Sequence, residues 1–115
     1  MSPRPRIAAI ADHVQVMTTA GSEEEAGRIA SLLVERRLAA CVQVVGPITS
    51  RFRWQGAVEE EREWQCLAKT TRAAYETVEA AIRELHSYDE PEIIATPIVA
   101  GSAGYLAWID ENVDA

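Results

Sequence analysis

"ACVQVVGPITSRFRWQGAVEEEREWQCLAKT", residues 40–70, is where the reading of this chain turns. Two β-rich arms flank Gln55 and Gly56, the composition of a tight hairpin turn. Each arm runs about 13 residues, or roughly 40 Å at ~3.3 Å per residue, well beyond the usual strand of five or six. A hairpin of that length must project from its sheet or bend. Pro47 marks where, because proline cannot donate to a strand ladder and falls at edges or bulges. With Trp54 facing Ala57, the register sets Arg51 against Glu60, an opposite-charge cross-strand pair, and Val44 against Leu67. It also sets Cys66 against Val45, four residues and ~13 Å from Cys41, so no disulfide is expected, although a bulge at Pro47 would shift the count.

Upstream of the hairpin, "HVQVMTT" from His13 alternates with a strand period. "GSEEEAGRIASLLVERR" then changes to a helical one. Ser22 followed by Glu25 reads as a capping box, and three glutamates meet the positive end of the helix dipole. Ala26, Ile29, Ala30, Leu33 and Val34 form the apolar stripe, and Arg36 and Arg37 complement the far end. Downstream, "TTRAAYETVEAAIRELH" has a second stripe, Ala74, Val78, Ala81, Ile82 and Leu85, with Thr71 as its cap. "EIIATPIV" is the last strand, and "GSAGYLAWIDENV" makes a short closing helix with Tyr105, Trp108 and Ile109 on one side.

The resulting order is β-α-β-β-α-β plus a helix, an α+β ferredoxin-like sandwich with a long β2–β3 hairpin. Its first and third strands should be central, and the two strands that contain proline should be edges. Two long helices cover one face of such a sheet. Apolar residues nevertheless point to both faces, which predicts self-association.

Length and composition agree with one domain. The chain has 115 residues, 48% hydrophobic and 25% charged, enough for one core and too few for two. Residues 1–12 read as a tail and lead-in, and 13–115 as the domain. The net charge of −7, with the basic residues scattered, excludes nucleic acid as a partner and points to cations. An RNA-binding module of the same strand order fails because "EEEREWQCLAK" is acidic and carries one aromatic. Five apolar residues before Asp12 are too few for an export signal, and no stretch reaches a membrane span of ~20 residues. Two cysteines, Cys41 and Cys66, are too few for a secreted disulfide framework. A cytoplasmic protein with buried, reduced thiols is expected.

Candidate chemistry concentrates in "HSYDEPE", residues 86–92. His86 with Asp89 and Glu92 makes a borderline N/O donor set for a divalent metal. His86 equally reads as a helix C-terminal histidine facing the dipole and loose carbonyls. "EEERE", residues 59–63, reads as a solvated face. No glycine-rich phosphate loop and no paired histidine or cysteine motif supports an enzyme.

Four ordered blocks, "TTAGSEEEAGRIASLLVERRLAACVQVV", "GPITSRFRWQGAVEEEREWQCLAKT", "HSYDEPEII" and "GSAGYLAWI", together resemble the CutA divalent-cation tolerance proteins. The resemblance implies a compact homotrimer with sheets turned inward, an architecture shared with trimeric regulators of nitrogen signalling. It implies a non-enzymatic role in tolerance of divalent metals, copper especially, with no required cofactor. It assigns copper contact to His86 and Glu92. Ser87 and Asp89 replace the family's usual proline and glutamate. Thr18 stands where some relatives carry a cysteine ligand, and a hydroxyl is a poor substitute for a thiolate. The alternative function is a trimeric ligand-sensing regulator or interaction scaffold, and the analogy with the trimeric regulators implies clefts between subunits lined by Lys69, Tyr88, Tyr105 and Trp108, taking a small anionic ligand.

Overall fold

The computed structural model describes residues 11–114. Most of the expected tail, residues 1–10, lies outside that range. The elements are β1 (His13–Ala20), α1 (Glu23–Glu35), β2 (Cys41–Trp54), β3 (Ala57–Thr71), α2 (Tyr75–Leu85), β4 (Ile93–Pro97) and α3 (Ala103–Asn112). One antiparallel sheet has the order β2-β3-β1-β4. The proline-bearing strands are the edges, as their missing amide donors require.

Alternation along the strands divides the sheet into two unlike faces. Val14, Val16, Thr18 and Ala20 of β1 lie opposite Thr70, Ala68, Cys66 and Trp64 of β3. This face meets α1 and α2 through Ile29, Leu33, Val78 and Ile82, all fully buried. Each such side chain contributes about 1.5–3 kcal/mol, against ~0–1 kcal/mol for an exposed ion pair. This layer therefore holds the fold together.

The opposite face carries Gln15, Met17, Gln65, Leu67 and Lys69, all half-buried. α3 packs at one end of that face. Its Asp110 accepts a bond from His13 Nε2 at 2.8 Å, and Ile109 is fully buried. The two long helices cover a single face, as expected, and the short α3 takes part of the other.

Local signals explain the ends of α1. The Ser22 side chain accepts from the Glu25 amide at 3.1 Å, as an N-cap should. At the other end Leu38 N–H bonds Leu33 O at 2.9 Å and Arg37 N–H bonds Val34 O at 3.0 Å, a Schellman closure with Arg37 at φ 59°. Arg37 does not serve the helix dipole as expected. Its guanidinium ties down the chain end, donating to Asp114 at 2.8 Å and to the Glu111 carbonyl at 2.7 Å. Val34, placed on the apolar stripe, is exposed. α2 starts later than its pattern suggests. Ala74 is the N-cap residue, and Thr71 Oγ1 accepts from the Ala74 amide at 3.2 Å, one turn before the helix.

The hairpin turns at Gln55 and Gly56, both at positive φ, which matches the strand twist of a two-residue turn. Trp54 faces Ala57 and Arg51 bonds Glu60, as the sequence predicts. Deeper in the hairpin the register is corrected: Val44 faces Cys66 rather than Leu67. Gly46 and Pro47 together oppose Trp64, a bulge that consumes one residue of β2. A Cβ on Gly46 would collide with Trp64 Cδ1, so the indole occupies the space of a side chain. Cys41 and Cys66 are free, and the register sends them to opposite faces.

Candidate functional site

The "HSYDEPE" segment leaves α2 and crosses the end of β1, where it binds groups from three other elements. The His86 side chain has no exposed surface. Its Nε2 donates to the Thr19 carbonyl at 2.6 Å, and its Nδ1 accepts from the Tyr88 amide at 3.1 Å. This pattern assigns the Nε2–H tautomer and occupies both ring nitrogens.

Beside it, Glu25 reaches away from its own helix end. Its carboxylate accepts from the Ser87 amide at 2.8 Å and from the Ser87 hydroxyl at 3.0 Å, with His86 Nδ1 3.7 Å away. The reciprocal half of the expected capping box is thereby redirected to a partner 62 residues away. Glu25 is only 7% exposed. Burial alone would raise its pKa. The two Ser87 bonds and the Gly21 amide outweigh that and hold the carboxyl below its ordinary range.

The third anchor is Tyr88. Its hydroxyl donates to Glu63 at 3.0 Å, passing so close over Gly21 that a Cβ there would meet the oxygen at 3.0 Å. Burial, with the Glu63 carboxylate next, pushes the phenol up to about 12. Glu63 is 7% exposed, which corrects the reading of 59–63 as uniformly solvated. Glu59, Glu60, Glu61 and Arg62 are exposed as expected.

The expected metal donors behave unequally. Asp89 and Glu92 are exposed, and neither is bonded by a side chain among the described residues. His86 points inward and is fully engaged. Among the described residues no group of three or more His, Cys, Asp or Glu side chains is arranged to hold a metal ion. Thr18, at the place of the family cysteine, is buried with its Oγ1 unpartnered.

The residues expected to line a cleft between subunits lie at the two ends of β1 within one copy. Lys69 lies opposite Cys41, its Nζ donating to Gln43 Oε1 at 2.6 Å. Tyr105 and Trp108 stack at 5.5 Å on α3 at that end, where burial and then Cys41 raise the Tyr105 phenol. Tyr88 sits past the other end of β1, about 20 Å away along the strand. An open depression of about 650 Å³, lined by Asp12, Thr71, Arg72, Glu76 and Asp110 among others, contains none of the expected residues.

Sequence reasoning missed Glu25, Glu63 and Ser87 as the polar anchors. Glu25 carried the signal of a helix cap and Glu63 that of a charge run. Both patterns are local, whereas both partners are remote.

A four-stranded antiparallel α+β fold with split β-α-β order, a projecting ribbon and a clasped β1–α1 corner defines a narrow structural class. A family model described as "CutA1 divalent ion tolerance protein" matches residues 14–112. The chain belongs to the CutA1 family. It is 48% identical over 97 residues to the divalent-cation tolerance protein CutA of Thermus thermophilus, covering 84% of this chain and 94% of that protein. A solved structure described as that bacterium's divalent cation tolerance protein superposes with a TM-score of 0.87 at 46% identity, covering 89% of this chain and 99% of the other. CutA of Xylella fastidiosa reaches 0.88 at 35% identity, over 90% and 100% of the two chains. The human Protein CutA is 37% identical over 79% of this chain but 51% of its own length.

Proposed function

We propose that the chain is one subunit of a non-enzymatic homotrimer that engages divalent cations, copper among them, in the cytoplasm. The observation that carries the assembly is the hairpin beyond Trp64. β1 ends its pairing there, so residues 48–63 form a two-stranded ribbon with both edges open. Such a ribbon is marginal in water by itself. It nevertheless presents Phe52, Trp54 at 55% exposure and Val58 at 61%. Val45 and Ile94 are exposed on the adjoining open sheet face. Further copies of the chain would cover these surfaces. Three copies, rather than two, follows from the likeness to the CutA family.

The cation part rests on the family's description and on the corner's free carboxylates. Asp89 and Glu92 are the accessible donors, with His86 able to join only by releasing the Tyr88 amide. Weak binding dominated by oxygen is the expectation. The free thiols Cys41 and Cys66 suit a reducing compartment. Among the described residues no helix is long and apolar enough to cross a membrane. Relatives include one described as periplasmic and one as chloroplastic, so family membership does not fix the location.

Calorimetry with copper and zinc on the wild type, Asp89→Asn/Glu92→Gln and His86→Ala tests the metal part. Weak saturable binding that the double carboxamide variant loses is expected. Isotherms identical across all three would remove these residues as donors. Sedimentation equilibrium tests the assembly, and a single-subunit mass at every concentration would refute it.

A further inference from the structure

One residue closes the corner at 86–92. Tyr88 is bonded at two points: its amide donates to His86 Nδ1 at 3.1 Å, and its hydroxyl donates to the Glu63 carboxylate at 3.0 Å. Between these bonds its ring lies against the His86 ring, with centroids 4.7 Å apart, and its oxygen passes over Gly21. Tyr88 is nevertheless exposed and takes no part in the hydrophobic core, whereas the His86 side chain beside it has no exposed surface. A segment held by two polar contacts and little apolar packing opens at low cost while the core stays folded.

What opening would release is specific. His86 Nε2 stays on the Thr19 carbonyl at 2.6 Å, so the ring keeps its place and its tautomer. That bond is the second contact a metal-ligating imidazole characteristically makes, its other ring N–H donated to a carbonyl or carboxylate. Nδ1 is then a free lone pair, with the Glu25 carboxylate 3.7 Å away. In the closed corner the same lone pair is used by the Tyr88 amide, which leaves a cation only the exposed carboxylates of Asp89 and Glu92.

We propose that Tyr88 is a gate on cation binding: its two bonds withhold His86 Nδ1, and a divalent cation held by Asp89 and Glu92 recruits that nitrogen by displacing the Tyr88 amide. This rests on the reading of the corner as a cation site and adds the residue that regulates it. Apparent affinity is the intrinsic affinity scaled by the fraction of open chains, so each bond that keeps the gate shut weakens cation binding. Loss of the Tyr88 hydroxyl therefore tightens binding, the reverse of what removing a ligand does. By reciprocity, a bound cation loosens the hold of Tyr88 on Glu63.

The test is zinc titration of the wild type, Tyr88→Phe and Gly21→Ala by calorimetry, with nitrogen NMR of the His86 ring as a second readout; zinc is diamagnetic and suits both. Tyr88→Phe keeps the ring and the amide and removes only the bond to Glu63. Gly21→Ala touches no donor, but its Cβ would meet the Tyr88 oxygen at 3.0 Å and push the gate outward, and Gly21 is not at positive φ. Zinc should bind about fivefold tighter in Tyr88→Phe, the worth of one net hydrogen bond, and tighter also in Gly21→Ala. The His86 Nδ1 signal should shift on zinc addition, and the Tyr88 amide should exchange with solvent faster once zinc is bound. Tyr88→Phe that binds zinc no more tightly than the wild type would overturn the gate and leave the carboxylate site in place. Saturation with zinc that leaves the Nδ1 signal unmoved would overturn it too, because His86 is then not recruited. Should Tyr88→Phe fail to fold by circular dichroism, Gly21→Ala decides in the same way. Absence of zinc binding in all three proteins would instead remove the cation reading, and the gate with it.

Discussion

The corner at residues 86–92 and the ribbon at 48–63 look alike on paper, each a polar run bordered by apolar residues, yet the folded chain treats them oppositely. At the corner the side chains of residues 86–88 are all bonded. His86, Ser87 and Tyr88 reach Thr19, Glu25 and Glu63 on three separate elements. On the ribbon Glu59, Glu60, Glu61 and the three arginines stay in solvent, and Phe52, Trp54 and Val58 are exposed with them. Polar residues become structural where distant segments converge on them, and become surface where none does.

Removing the corner's central ring should have the largest effect. His86→Ala leaves the Thr19 carbonyl and the Tyr88 amide unpaired and opens a cavity, so unfolding free energy should fall by about 3 kcal/mol in urea titrations. A loss below about 0.5 kcal/mol would make the corner no more structural than the ribbon. Next is Gly46, where the ribbon leaves the body of the sheet. Gly46→Ala places its Cβ against the Trp64 indole, and the adjustment should cost about 1–3 kcal/mol, read from the same titrations with tryptophan emission as reporter.

Titration sharpens the contrast without mutation. The Glu25 carboxyl is depressed below its reference of 4.5 in the folded chain. Its contribution is complete above that reference and is lost as pH falls through the lower folded value. Glu25→Gln should flatten this acid limb of the stability profile. Tyr88 shifts the other way, from 10.0 to about 12. Its contribution is complete below 10 and disappears as pH rises toward 12, and Tyr88→Phe should lessen that alkaline loss. Tyr75, pushed up to about 12 by burial and then by its bond to Glu79, remains to titrate in the same window.

The smallest change in single-chain stability is expected on the ribbon. Trp54→Ser should alter unfolding of the isolated subunit by less than about 0.5 kcal/mol. It should still weaken the concentration-dependent association, which dilution followed by sedimentation would detect. A strong effect on the isolated subunit would mean that the ribbon is packed by its own chain after all.

Much of this fold was written in short-range pattern. The 3.6-residue stripes of α1 and α2, the alternation of β1, the Gln55–Gly56 turn and the edge prolines give the element order and the place of each strand. These signals are legible because each depends on neighbours a few residues away. The bulge at Gly46 and Pro47 was visible only as a proline in a strand, so the pairing of Val44 was missed by one residue. The site was less legible. His86 and Tyr88 stood out by type, but Glu25 carried the mark of a helix cap.

Sequence alone determined that this chain forms a two-sided α+β sheet with a ribbon too long for its body, because periodicity and turn chemistry are properties of contiguous residues. Only the tertiary structure decided that His86 is a buried clasp with both nitrogens engaged, that Glu25 and Glu63 anchor the corner, and that α3 takes part of the second face. The physical reason is that a hydrogen bond between residues 62 or 67 positions apart leaves no periodic trace in either segment. It exists only once hydrophobic burial has brought the segments together.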